Sequence, residues 1–343
     1  MVLGEADTAQ IRDLRACGTV GLTRNGALNP TFISCIYLFP SNDRLIFPIL
    51  RAFGGRKSFN FPAKIADIRN RPVYLEYYGL KEPPFNITPD PRFLFYSAKH
   101  REAFNHLLYG IRERKGFVQL TGEVGAGKTT LCRALLDELG DKYSTALILN
   151  PVLDAELLNK AIVMEFGLKV FGLDRLETVA VLNEFLLRQM EQDKVAVLII
   201  DEAQNLTNEL LEQVRLLSNL ETDNRKLLQI LLMGQPELRD RLNDHSLRQL
   251  RQRITVRYHL QSLTRAEVIQ YIQHRLQVSG ANGAPYFSPG AIWRVHRYSQ
   301  GIPRLVNAVC DKCLLAGYVQ QRDRIDFKMV GRAIQELEGD IDA

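Results

Sequence analysis

The 343-residue chain has few cysteines, a single tryptophan and no long apolar run. Its five cysteines, Cys17, Cys35, Cys132, Cys310 and Cys313, are too few and too unevenly spaced for a disulfide scaffold, and they indicate a reducing compartment. The most apolar stretch, residues 31–50, is broken by Pro40, Ser41, Asn42, Asp43, Arg44 and Pro48. Neither remaining piece approaches the roughly 20 residues of a helical membrane span, so no integral membrane segment is expected. No early apolar region follows the charged first residues, so a cytoplasmic location is expected rather than secretion. What remains, 46% apolar and 24% charged, suits a globular protein with a buried core and excludes collagen-like, coiled-coil and wholly disordered chains.

A charge surplus is also missing where a polyanion binder would need it. The formal charge is +5, but residues 1–72 hold ten Lys/Arg against five Asp/Glu, which leaves 34 of each sign in residues 73–343. Residues 1–72 also lack a sustained period of 2 or 3.6. The texture changes at Val73, where turn chemistry and then helical spacing begin. No Met lies between Met1 and Met164, and valine codons can start bacterial proteins. The favoured expectation is that residues 1–72 come from an overextended reading frame; the rival is a basic, partly disordered arm.

Residues 116–130 read GFVQLTGEVGAGKTT: a short apolar run, a glycine-rich turn, then apolar helical spacing at Leu131, Ala134, Leu135 and Leu139. The GxxxxGK[ST] spacing lets backbone N–H groups curl around phosphate oxygens at a helix N-terminus. The expected cradle is Gly122, Glu123, Val124, Gly125, Ala126, Gly127, Lys128, Thr129 and Thr130. Lys128 is expected to reach the β- and γ-phosphates of ATP, and the Thr129 hydroxyl to ligate Mg2+. About seventy residues later VAVLIIDE places two carboxylates after a buried apolar run, at the end where open parallel sheets bind ligands. Asp201 is then the Mg2+-associated carboxylate and Glu202 the group that polarises the attacking water.

Further strands are expected at 144–150, 227–234 and 254–260, with helices between them, which predicts an α/β fold with a five-stranded parallel sheet and helices on both faces. After residue 261 only helical patterns follow, as in the small all-α lid of AAA+ P-loop NTPases. The expected organisation is an N-terminal extension, 1–72; a nucleotide-binding domain, 73–262; and a helical lid, 263–343.

The strings YYGLKEPPFNITPDPRFLF, GFVQLTGEVGAGKTTLCRALL, LIIDEAQNL, LLMGQPELRDRL, LRQLRQRITVRYHL and GIPRLVNAVCD resemble the general secretion pathway protein A (ExeA/GspA-like) branch of AAA+ ATPases. The resemblance implies the strand order 5-1-4-3-2. It implies a polar sensor role for Gln235, a phosphate contact from the lid for Arg304, and an arginine finger at Arg253, with Arg248 and Arg251 as alternatives. Asn150 would hold Glu202 in an inactive pose, and Phe85 or Ile87 would wall the adenine. His100, His106 and His274 read as structural, and the Cys310/Cys313 pair as helix packing rather than a zinc site.

The resemblance implies an oligomeric ATPase that powers or regulates a secretion or envelope-assembly process. Relatives of that group continue past the lid into a membrane helix, and this chain stops at Ala343, which weakens the anchored role. The alternative is a DNA-associated regulator working with a transposase, for which the arginines between Arg239 and Arg257 would contact phosphates. A nucleotide-exchange switch is disfavoured by the intact Asp201-Glu202 pair.

Overall fold

Short apolar runs alternate with longer amphipathic ones, and each run takes the element its period dictates. In the computed structural model, residues 72–339 are described, apart from 150, 152, 153, 223 and 224. The expectations for residues 1–71 and for Asn150 therefore lie outside the described residues.

Five strands, β1 (Phe117–Gly122), β2 (Tyr143–Ile148), β3 (Val195–Ile200), β4 (Leu228–Gly234) and β5 (Ile254–Leu260), form one parallel sheet. Read across the sheet their order is β5-β1-β4-β3-β2, the expected 5-1-4-3-2. Twelve helices are described: α1 (Tyr74–Tyr78), α2 (Ala98–Arg112), α3 (Lys128–Leu139), α4 (Ala155–Glu165), α5 (Arg175–Glu191), α6 (Asn208–Leu217), α7 (Pro236–Leu242), α8 (Arg248–Arg253), α9 (Arg265–Val278), α10 (Pro289–Ser299), α11 (Pro303–Val319) and α12 (Phe327–Glu338).

The central strands are buried on both faces, which is why they read as unbroken apolar runs. Val197 and Ile199 pack with Val118, Leu120, Leu231 and Met233 against the α2 and α3 side chains Leu107 and Leu135. Their alternates Ala196, Leu198 and Ile200 face the opposite layer, with Leu158, Ile162, Leu182, Leu211 and Val214 of α4, α5 and α6. All five strands run the same way, so the carboxyl ends of β1, β3 and β4 lie along one edge, where the phosphate-loop and Asp-Glu strings emerge.

The helices from α9 to α12 share a further core, formed by Val268, Val295, Val309, Leu314 and Val330 among others. The pattern of helices alone missed one detail there: Tyr286–Phe287 and Arg324–Ile325 pair as two-residue parallel strands. The same core takes in the chain's first described segment through Tyr74, Leu75, Tyr78 and Phe85. Arg275, 6% exposed, clamps that segment from α9. Its Nε donates to the Pro84 carbonyl and its Nη2 to the Asn86 carbonyl at 3.1 Å, while its guanidinium lies 4.7 Å from the Phe93 ring centre. Carbonyl acceptors and an aromatic face thus accommodate the buried cation. Prolines 83, 84, 89 and 91 keep this segment out of a long helix, as their fixed φ and missing N–H require.

Phe85 corrects an expectation. It is 1% exposed and meets Phe287 edge-on, with ring centres 6.2 Å apart, so it is part of a packed core rather than an open adenine wall. Ile87, two residues on, is exposed. Cys310 and Cys313 are both fully buried in α11, where burial pushes their thiols up.

Candidate nucleotide site

The loop between β1 and α3 begins at Gly122, the last residue of its strand, and ends at Gly127, which precedes the helix with φ 98°. Helices α2, α4, α5, α6, α9, α10 and α12 each receive a side-chain oxygen on an early backbone N–H. Helix α3 receives none. Its first N–H groups have no intrahelical acceptors, and together with the positive end of the helix dipole they form a site for an anion.

Lys128, 5% exposed, turns its Nζ back to donate to the Gly122 carbonyl at 2.8 Å and the Glu123 carbonyl at 3.0 Å. An ammonium has three N–H bonds, so these contacts brace the loop and leave one donor for a phosphate oxygen. Burial lowers the Lys128 pKa, opposed by the charges of Glu202, Asp201, Glu123 and Glu237. The Thr129 hydroxyl donates to Asp201 Oδ2 at 2.6 Å. Asp201, 3% exposed, ends the apolar run of β3, and its own N–H continues the ladder by donating to the Ile148 carbonyl at 2.8 Å. Burial pushes the Asp201 carboxyl up, and the hydrogen bonds from Thr129 and the Glu202 N–H oppose that shift. A hydroxyl and a carboxylate oxygen in contact beside an uncapped helix end are a hard-oxygen donor pair of the kind Mg2+ takes with phosphates.

Glu202 follows in a left-handed backbone conformation (φ 52°, ψ 36°), uncommon for a side chain of this kind and typical of constrained sites. Its Oε2 accepts from Gln204 Nε2 at 2.6 Å and from Gln235 Nε2 at 3.1 Å. Gln204 Oε1 in turn accepts from the Gln235 N–H at 3.1 Å. The strand ends of β3 and β4 are thereby tied by a small amide network that holds one carboxylate oxygen. Gln235 is brought to Glu202 and does not cap α7 with its side chain.

The start of α11 closes on the loop. The Arg304 N–H donates to the Gly125 carbonyl at 3.2 Å, and a Cβ on Gly125 would lie 2.4 Å from the Arg304 Cβ. Gly125 (φ 78°) is thus needed both for its backbone conformation and for its lack of a side chain. Gly301, just before α11, packs as tightly: a Cβ there would lie 1.9 Å from the Leu263 carbonyl oxygen. The Arg304 side chain is exposed.

Arg253 donates through Nη1 to Ser218 Oγ at 2.7 Å, behind α6. Arg248 is exposed at the start of α8, and Arg251 is partly buried. The sequence reading missed what His100 does. His100 is 3% exposed beneath the loop, with Nε2 3.1 Å from the Ala126 carbonyl and Nδ1 2.8 Å from Ser97 Oγ. Burial holds its pKa down, so the neutral ring donates from Nε2 to the loop carbonyl and accepts at Nδ1 from the Ser97 hydroxyl. Gln204 was also missed, although it lies within the string LIIDEAQNL.

Comparison with known proteins bears on the family and the fold. The AAA domain family matches residues 111–242. General secretion pathway protein A of Aeromonas hydrophila is 46% identical over 270 residues, 78% of this chain and 49% of that protein, so the chain spans about half that relative's length. Among solved structures, Drosophila ORC bound to DNA covers 83% of this chain and 70% of its own (TM-score 0.60, 16% identity). Aeropyrum pernix ORC2, seen with ADPNP and ADP, covers 74% and 71% (TM-score 0.56, 17% identity). At such identities these structures speak to the fold alone. Over the region they share, the chain is similar to general secretion pathway protein A, and residues 111–242 match the AAA domain family.

Proposed function

We propose that this protein binds ATP with Mg2+ between the β1–α3 loop and the end of β3, and hydrolyses it. The observation that carries the reading is the Thr129–Asp201 contact beside an α3 N-terminus that no side chain caps. In this reading the backbone of residues 122–130 and the remaining Lys128 donor hold the phosphates, and Thr129 and Asp201 hold the metal. Bound there, Mg2+ would neutralise charge on the phosphate oxygens. Glu202 orients the attacking water and takes up its proton, while Gln204 and Gln235 fix the carboxylate. Arg304, at the start of α11, is the phosphate contact from the helical region. Residues 263–343 act as the lid, and the clamped segment at 74–95 couples to it. Release of inorganic phosphate from Mg·ATP tests the reading: turnover is expected in the native chain and its loss in Asp201→Asn. No turnover under any assembly condition would refute hydrolysis.

The shared region with general secretion pathway protein A supports work on a secretion or envelope-assembly process, performed from the cytoplasm. No described helix is long and apolar enough to cross a membrane. Self-association follows from the finger reading: Arg253 would exchange Ser218 Oγ for a neighbour's phosphate, with the exposed Arg248 as a second donor. If that is so, specific activity rises with protein concentration and Arg253→Ala removes the rise; activity independent of concentration would refute it.

A further inference from the structure

A second cluster of cationic side chains lies apart from the loop, on the face of β1 and β5 beneath α7 and α8. A cleft of about 260 Å3 there is lined by Gln119, Thr121, Arg239, Arg251, Arg257 and His259, among others. The sheet register brings the strand residues together, with Gln119 opposite Arg257 and Thr121 opposite His259. Gln119 is 4% exposed, yet its carboxamide has no hydrogen-bond partner among the described residues. Its amide atoms are not among the enclosed polar atoms left without a partner, so they open onto the cleft, where water reaches them. Gln229 on β4, 1% exposed, shows the contrast: its Oε1 accepts from the Gly116 N–H at 2.8 Å and its Nε2 donates to the Lys226 carbonyl at 3.4 Å.

The charges are as under-used as the amide. The Arg251 guanidinium has no hydrogen-bond or ion-pair partner among the described residues. Arg239 has only Asp240, at 4.0 Å, and Arg257 donates to the Arg251 carbonyl. Thr121 Oγ1 and His259 Nδ1, 3.0 Å apart, satisfy each other at one end. Three guanidinium groups line one cleft, and planar forks of N–H donors match the oxygens of a phosphoryl group. A carboxylate offers one charge and two oxygens. A phosphate dianion offers a second charge and a third or fourth oxygen, enough to engage the arginines and the idle Gln119 amide together.

We infer that this cleft binds a phosphate-class dianion, either inorganic phosphate or a small phosphate monoester, independently of the nucleotide loop. A monoester or free phosphate brings the second charge that a phosphodiester lacks, so nucleic acid is not the occupant argued for. The inference does not rest on the ATPase reading, because the same titration can be run with or without nucleotide.

The test is 31P NMR titration of inorganic phosphate into the full chain, first alone and then with saturating Mg·ADP to fill the loop. Saturable binding that persists with ADP is expected, weakened at least tenfold in Arg251→Gln and in Gln119→Leu and unchanged in the remote Arg324→Gln. Should Gln119→Leu not fold, Arg257→Gln at the cleft mouth carries the same expectation. Glycerol phosphate competing at lower concentration would assign the site to monoesters, and its failure to compete would assign it to free phosphate; both support the inference. Absence of saturable binding, binding abolished by ADP, equal affinity in the cleft variants, or binding of short duplex DNA without binding of phosphate would each overturn it.

Discussion

The Thr129 hydroxyl and the Asp201 carboxylate, 72 residues apart in sequence, meet at 2.6 Å where β1 and β3 deliver their ends to one edge of the sheet. The contact leaves a buried carboxylate dependent on a single hydroxyl and one backbone N–H. Removing that hydroxyl in Thr129→Val should destabilise the protein by about 1–3 kcal/mol, the cost of a lost partner for a buried polar group. It should also raise the Mg2+ concentration needed for half-maximal turnover. Denaturant unfolding and a Mg2+ titration of activity check the two parts; an unchanged Mg2+ requirement would remove Thr129 from the metal site.

Glu202→Gln keeps an oxygen for Gln204 and Gln235 but loses the base. Hydrolysis should fall by about 10²–10⁴-fold, the usual contribution of a positioned general base. ATP affinity should stay near that of the native chain. Single-turnover assays paired with equilibrium binding separate these effects. A variant with full turnover would show that another group handles the proton.

His100 predicts a pH dependence of stability. Burial lowers its pKa in the folded state, so near pH 6.5 the unfolded chain binds more protons than the folded one. Its contribution is present above the unfolded value of about 6.5 and is lost as pH falls through the lower folded value. The native melting temperature should therefore drop more steeply between about pH 7 and pH 5 than that of His100→Phe. Parallel curves would mean that the ring is not held neutral against the Ala126 carbonyl.

Phe85→Ala should cost about 3–5 kcal/mol of stability, as expected for an aromatic removed from a packed core. Nucleotide affinity, measured below the melting transition, should change little. A selective loss of adenine-nucleotide affinity at unchanged stability would restore the ring as a base wall.

Much of this arrangement was legible in the sequence because it is local. The glycine spacing from Gly122 to Gly127 and the apolar run into Asp201 each encode a backbone shape within a few residues, and the alternation of strands with helices encodes the sheet. What stayed hidden depends on distant partners. His100 reaches a carbonyl 26 residues away, and Gln204 reaches Gln235 across 31. Ser218 takes the Arg253 guanidinium across 35 residues, and no period or motif marks that pairing. Phe85 was misread because a proline-rich segment shows that it is extended but not which core receives it. The two-residue pairing of Tyr286–Phe287 with Arg324–Ile325 escaped for a similar reason, since its place is settled by packing more than by pattern.

The central claim is that the β1–α3 loop and the end of β3 grip a nucleotide triphosphate with its metal. Isothermal titration of Mg·ATP into the full chain, beside Lys128→Ala and Asp201→Asn, tests it most directly. Saturable heat with one site per chain, abolished in Lys128→Ala and dependent on Mg2+ in the native protein, is the expected result. No heat in the native chain, or the same heat in Lys128→Ala, would contradict it.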